Sequence, residues 1–422
     1  MNSTSLPLWG LLGMDNIDLT RRTRTLRLGQ VVRRFNELAV PGLGGMRYAK
    51  QIYLAALGIA VAERARSVRK VRNIEVANAI EAISCLVSFE NNNWKRDPKL
   101  RGINKLKNKD TILFSIARKK GFYVTQPMRM GLVQVLPALR LVQSDTLRYN
   151  SFELTATGYL LVDKISSKYP EVHGKKGLVD HLVSWVGGMV TEKSIRKNEK
   201  VRKLLSPLVR LDNSGRKLIE SFVLKQGDEW SIQRRRSIWN WVEMDYLTTT
   251  GHSSWSKRPT CIDDQHWKDL KSGAGFFKVR KQALDLLDEL EIIISKTSKN
   301  RITFKQASEI LKNNVGKLKK SAQYFLDLGH DPSKGKEAGN FCIECLDQEN
   351  VIKTLVIRDN IGLQKRDEFI VPGPAFKGEF LNHTNSEEDQ SIITENPDDP
   401  ILPDNISYRV LNMYYLQKDL RG

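Results

Sequence analysis

The chain has little of what most active sites are built from. Four cysteines in 422 residues form no paired framework, which excludes a disulfide-stapled domain and suits a reducing cytosol. Six histidines (His173, His181, His252, His266, His330 and His383) are scattered, and none sits at a spacing that pairs it with a serine or cysteine nucleophile. No apolar run approaches the ~20 residues that a membrane helix needs. The longest, residues 52–61, has the length of a buried helix, so no membrane partner is expected. Residues 1–14 carry no basic leader and no cleavage-site pattern, so no secretory signal is expected and the expected location is the cytoplasm. Acidic residues are the minority, 48 against 68 lysines and arginines, for a net charge of +20.

That charge is uneven. Residues 1–120 hold 23 basic and 9 acidic side chains, an excess of 14. A cationic region of this kind is the electrostatic footprint of a polyanion partner, with nucleic acid, DNA first, as the expected one. A solvated basic surface, or one that meets an acidic protein, is the alternative, because charge alone carries no specificity.

The glycine cluster in "VPGLGGMRYAK" invites a phosphate-loop reading and fails it. A Walker-type loop needs Lys-Ser/Thr after its last glycine, and here Met46-Arg47 follow. A dinucleotide turn needs a sixth-position glycine and a preceding strand, and here Arg47 stands at that position behind a helical pattern. The cluster reads as a sharp reversal between two helices, with glycine amides, Arg47 and Lys50 available to a nucleic-acid phosphate. Cys342 and Cys345 are a close pair without the further ligands that zinc needs, and read as buried residues of a strand or turn. Asp263 and Asp264, with His266 nearby, are the nearest local approach to the carboxylate cluster of a metal-dependent nuclease, and read as a helix cap rather than a metal cage. No catalytic residue, metal site or cofactor is assigned.

The pattern predicts a mostly α, multidomain chain with an embedded winged helix-turn-helix-like unit and a small α/β C-terminal part. Four segments are expected: a basic helical domain over 1–109, the winged-helix-like unit over 110–170, a helical domain over 178–330, and the α/β region over 331–422 with an acidic mobile loop at 385–400. Helices are expected over residues 26–38, 47–66, 73–89, 111–120, 265–294 and 303–328. A strand is expected in "NVIKTLVIRDN", paired near "NFCIECL". In the winged-helix unit, Asp110 and Thr125 cap two helices, a hairpin follows, and Thr155 caps the last helix. Base readers would then be Arg129, Gln134 and Arg140 on the second helix and Arg148 and Asn150 at the wing tip, with Arg118, Lys119 and Lys120 on phosphates. In "NNNWKRDPKLRGINKLKNK", Lys95, Arg96, Lys99 and Arg101 surround Trp94, which either stacks on a base or is tucked into the core. The Arg234–Arg236 run among Trp230, Trp239 and Trp241 reads as packed tryptophans with a partly solvated arginine face.

"FNELAVPGLGGMRYAKQIYLAALGIAVAERAR" resembles the opening of an uncharacterised bacterial family encoded beside helicases and phospholipase-D-like nucleases in anti-phage islands. "LDNSGRKLIESFVLKQGDEWSIQRRRSIWNW" and "YRVLNMYYLQKDLRG" are similar to later blocks of that pattern. The likeness covers about a quarter of the chain, and Gly44-Gly45 stand where the family tends to have small hydroxyl residues. The resemblance implies an accessory subunit in phage defence, with a helicase or nuclease as protein partner, and it implies no active-site residues. The expected function is therefore a nucleic-acid-binding accessory subunit. Open alternatives are a scaffold whose basic face docks an acidic partner, and a metal-dependent nuclease with a site assembled from distant carboxylates.

Overall fold

The computed structural model describes residues 24–107, 109, 111–167, 171–172, 175–243, 254–347, 350–378 and 402–421. The protein is mostly α-helical with small sheets. Residues 1–14, Asp110 and the acidic stretch 385–400 lie outside the described residues.

Helix α1 (Gly29–Ala39) buries Val31, Phe35 and Leu38, three- and four-residue spacings that put one apolar stripe against the core. Pro41 follows its end, and Gly42 (φ 72°) and Gly44 (φ 43°) take left-handed conformations that reverse the chain into α2 (Ala49–Ala65). Helix α3 (Asn73–Asn91) packs along α2, and both are buried on nearly every face. Their contact is close because Gly58 has no side chain: a Cβ there would lie 2.8 Å from the Ala77 Cβ.

Next come two single turns, α4 (Ile103–Leu106) and α5 (Phe114–Ala117), a 3-10 segment at Met128–Leu132, and a third turn, α6 (Val135–Ala138). Strands β1 (Val142–Gln143) and β2 (Glu153–Leu154) form an antiparallel hairpin that leads into α7 (Ala156–Ser166). The Thr155 hydroxyl accepts from the Gly158 amide, the cap that the sequence predicts. The expected helices at 111–120 and after Thr125 are corrected here: the first is one turn and the second breaks into a 3-10 segment and another turn. Gly121, Pro127, Gly131 and Pro137 punctuate this stretch and prevent a longer run.

A small hairpin, β3 (Glu171–Val172) with β4 (Lys175–Lys176), precedes α8 (Gly177–Val186), α9 (Glu192–Lys197) and α10 (Glu199–Leu205). Helices α11 (Asn213–Lys225) and α12 (Glu229–Glu243) follow, then α13 (Asp264–Ser295), the longest described helix. Asp263 caps α13 through the His266 amide at 2.7 Å. Strand β5 (Ile302–Thr303) leads into α14 (Phe304–Ile310) and α15 (Lys312–Asp327), which divide the expected 303–328 helix at Leu311.

The C-terminal expectation is corrected. "NFCIECL" lies in helix α16 (Glu337–Leu346) and "VIKTLVIRD" is helix α17 (Val351–Asp359). Val351, Ile352, Leu355 and Val356 are buried at helical spacing, and that burial outweighs the strand preference of their branched side chains. Asn360, at φ 50°, closes α17. The strands come later, at β6 (Leu363–Arg366) and β7 (Phe369–Pro372), and the antiparallel order is β5-β7-β6. Helix α18 (Tyr408–Arg421) returns to pack against α12, α11, α1 and α2.

Buried side chains gather in two clusters that do not follow the four expected segments. The first runs from Ala39 to Leu270 and includes Val410, Met413, Leu416 and Leu420 of α18. The second joins Leu26–Phe35 to residues of α13 to β7. Helices α1 and α13 each contribute to both. Within the second cluster the Phe35 ring of α1 stacks on Phe276 of α13 at 5.3 Å and meets Phe325 edge-on.

Candidate nucleic-acid interface

Several cations expected to hold phosphate are used inside the protein. Arg129 is 5% exposed, donates to the Glu81 carboxylate at 2.9 Å, and shares that carboxylate with the Tyr123 hydroxyl. It is therefore a structural arginine, because a charge held in low dielectric needs a counter-charge and hydrogen bonds. Arg47 is buried with its guanidinium 4.3 Å from the centre of the Tyr415 ring. Lys50 is 4% exposed and donates to the Lys203 carbonyl; burial, opposed by Asp419 and reinforced by Lys99, lowers its pKa to about 7. Lys99 pairs with Asp419 at 2.7 Å, and Arg101 donates to the Gln126 carbonyl. Arg24, at the start of the described chain, sits among Asp288, Glu291 and Asp359.

The expected recognition helix is turned inward as well. Gln134 accepts from the buried Arg409, which also donates to Glu37 and to the Val40 carbonyl. Arg140 is exposed but reaches the Gly227 carbonyl at 3.2 Å. Asn150 has its carboxamide oxygen on the Ile74 amide, where it serves the first turn of α3. Trp94 stacks on Phe89 with centroids 5.5 Å apart, so its ring already has a partner. Lys95 and Arg96 are exposed beside it.

The glycine turn does not cradle a phosphate. Gly42 donates its amide to Glu37 at 2.7 Å, and Gly45 donates to the Gly131 carbonyl at 2.9 Å. A Cβ on Gly44 would fall 2.8 Å from the same carbonyl, so the turn is packed against the 3-10 segment. Cys342 and Cys345 are both buried one helical turn apart in α16, and burial pushes their thiols well above the usual range. Asp264 pairs with Arg258, and among the described residues no group of three or more His, Cys, Asp or Glu could hold a metal ion. Of the Arg234–Arg236 run, Arg234 and Arg235 are buried with Trp239 and Trp241, and Arg236 alone is exposed.

What remains outside is a cationic face around the N-terminal half of α3. Arg69 and Arg118 flank the Phe114 ring at 5.2 and 5.7 Å, and Arg118 and Arg72 share the Glu75 carboxylate. Asn78 of α3 donates to the carbonyls of Ala117 and Lys119 at 2.7 Å, which ties the Arg118–Lys120 segment to the helix. Lys105 donates to the Gly121 carbonyl, and the Lys109 ammonium lies 6.0 Å from the Phe122 ring centre, so the 105–109 lysines adjoin the same segment. The β1–β2 hairpin arrives at the same helix end: Asn73 donates to the Tyr149 and Phe152 carbonyls, next to Arg148. Lys70, Arg72, Lys107, Lys109, Lys119, Lys120 and Arg148 are all exposed here.

Of the residues singled out from sequence, Arg118, Lys119 and Lys120 lie on the segment held by Asn78, and Arg148 precedes the segment held by Asn73 of the same helix. The sequence did not single out Arg69, Lys70 or Arg72. Their signal was a run of cations after the last turn of α2, which resembles the ordinary preference of a helix C-terminus for positive charge. Compared with family models, curated proteins and solved structures, the chain matches none. Among the described residues, no helix is long and apolar enough to cross a membrane.

Proposed function

We propose that the protein is a nucleic-acid-binding accessory subunit of a bacterial multiprotein system, with DNA as the first ligand to test and a motor or nuclease on another chain. The observation that carries this reading is the face around α3, where cations from three stretches of sequence (69–72, 105–120 and 148) collect and Arg72 and Arg118 share the Glu75 carboxylate. A surface of this kind binds by neutralising phosphates and releasing counterions. The β1–β2 hairpin contributes Arg148 to this face. A place in phage defence rests on the sequence resemblance alone.

A second reading is favoured by a specific feature of the same face. Ile74, Leu113, Ile116 and Leu147 are large apolar side chains in solvent, between 37 and 65% exposed, beside the cations. An acidic, partly apolar protein segment would cover both kinds of group. The test is to compare the parent protein with Lys119→Ala/Lys120→Ala/Arg148→Ala in binding to duplex and single-stranded DNA. The nucleic-acid reading expects a loss of tenfold or more in the triple variant. Unchanged binding to DNA, with loss of a copurifying acidic subunit, supports docking instead.

A further inference from the structure

A groove between the two cores has a different chemistry from the basic face. Its first cavity, about 430 Å³, is lined by Arg34 and Leu38 of α1, Trp230 and Arg234 of α12, and Gln265 and Asp269 of α13, with Pro332 at the rim. A second cavity of about 370 Å³ shares Arg34 and Pro332 with the first and continues past Gln30 and Lys334 to Glu337. The two therefore form one trough along the solvent side of α1.

Its floor is a fixed platform. The Arg234 guanidinium lies 4.5 Å from the centre of the Trp230 ring and donates to Asp269 at 2.5 Å and to the Leu38 carbonyl at 2.6 Å. The His330 Nε2 donates to the other Asp269 oxygen at 2.7 Å. Arg234 and Asp269 are both buried and neutralise each other, so neither needs a ligand's charge. What they do is hold a cation flat beneath an indole that is itself 42% exposed. The cations facing solvent are Arg34, whose Nε donates to the Pro332 carbonyl, and Lys334, with Glu337 further along the trough.

An aromatic platform flanked by two cations matches a nucleotide: a base has a π-face for the indole, and a phosphate suits Arg34 and Lys334. We propose that this trough is a seat for unpaired nucleotides of a single strand, with Trp230 as the stacking residue and Arg34 and Lys334 as phosphate contacts. The proposal deepens the nucleic-acid reading and rests on it, but it assigns strand type to a place remote in sequence from the α3 face. A base paired in a duplex cannot present its face to Trp230, so duplex binding draws on the α3 face alone.

The experiment is fluorescence anisotropy of the full chain with a labelled short oligothymidylate and with a labelled duplex, at low salt. Trp230→Ala is expected to weaken the single strand about tenfold and the duplex less than twofold. Trp230→Phe is expected to restore most of the single-strand affinity, since the ring rather than the indole nitrogen does the stacking. Arg34→Ala/Lys334→Ala is expected to repeat the single-strand loss without the duplex loss. Trp230 is exposed, so its replacement is expected to leave the fold intact, with a circular dichroism melt like the parent's as the check. Equal single-strand binding by the parent and Trp230→Ala, while Lys119→Ala/Lys120→Ala/Arg148→Ala is weakened, overturns the trough and leaves the α3 face standing. Absence of binding to either nucleic acid by the parent protein overturns both.

Discussion

Buried cations in this protein are organising elements, and each has an energetic signature distinct from that of a binding residue. Arg129 illustrates the difference. Removing it leaves the buried Glu81 carboxylate, which also accepts from the Tyr123 hydroxyl, without its counter-charge, so Arg129→Ala is expected to cost about 3–5 kcal/mol of stability. Below the melting temperature it should bind nucleic acid as the parent does, a combination that chemical denaturation and a binding titration together would reveal. Lys50 makes a pH-dependent counterpart. Its ordinary pKa is near 10.5 and burial lowers it to about 7 in the fold. Below pH 7 both folded and unfolded chains carry the proton, and the folded state bears the full cost of a buried charge. Between pH 7 and 10.5 the unfolded chain alone is protonated, so that cost shrinks as pH rises. Lys50→Met should therefore raise the melting temperature at pH 6 and lose most of that advantage by pH 10. An advantage that is constant across this range would show that Lys50 is not buried as a charge.

At the scale of elements, the helices that bury a stripe were legible from spacing, and those decided by context were not. Helix α1 announces itself through Val31, Phe35 and Leu38, and α7 through Thr155 and the apolar residues behind it. Helix α17 was obscured because Val351, Ile352, Val356 and Ile357 are all β-branched, a composition that favours strands until the helical spacing of the buried Val351, Ile352, Leu355 and Val356 is seen. The expected recognition helix failed for a local reason: Gly131 is bound to the Gly45 amide, and prolines stand on either side of it. The close contact is testable. A Cβ on Gly131 would lie 3.3 Å from the Gly45 carbonyl oxygen and 3.4 Å from its Cα, so Gly131→Val should overpack the turn and cost about 1–3 kcal/mol. Denaturant melts that show no loss would mean that the two backbones are not in contact. The same logic explains the candidate site. Which lysines face solvent depends on which carboxylates the fold delivers to them, and Asp419 reaches Lys99 from 320 residues away. No local pattern contains that information.

For the whole molecule, two cores share two helices, and this arrangement links them energetically. Of the seven described tryptophans, Trp230 is exposed on α12, and Trp94, Trp185, Trp239, Trp241, Trp255 and Trp267 belong to or pack against the first core. Their fluorescence therefore reports that core, whereas far-ultraviolet circular dichroism reports both. Because helices α1 and α13 run through both cores, the two signals are expected to melt together. Phe35→Ala should lower both transitions, although Phe35 itself lies in the second core. A dichroism loss that precedes the fluorescence change would show that the second core unfolds by itself.

The central claim, at this same scale, is that cations left over from internal pairing form one face for polyphosphate. Its most direct measurement is the salt dependence of DNA affinity for the parent chain. With four or more phosphates neutralised, the slope of log K against log salt is expected to reach about −3 or steeper, since each contact contributes roughly −0.9 on duplex and −0.7 on single strands. A slope near zero, or no affinity for DNA even at the lowest salt, would contradict the account.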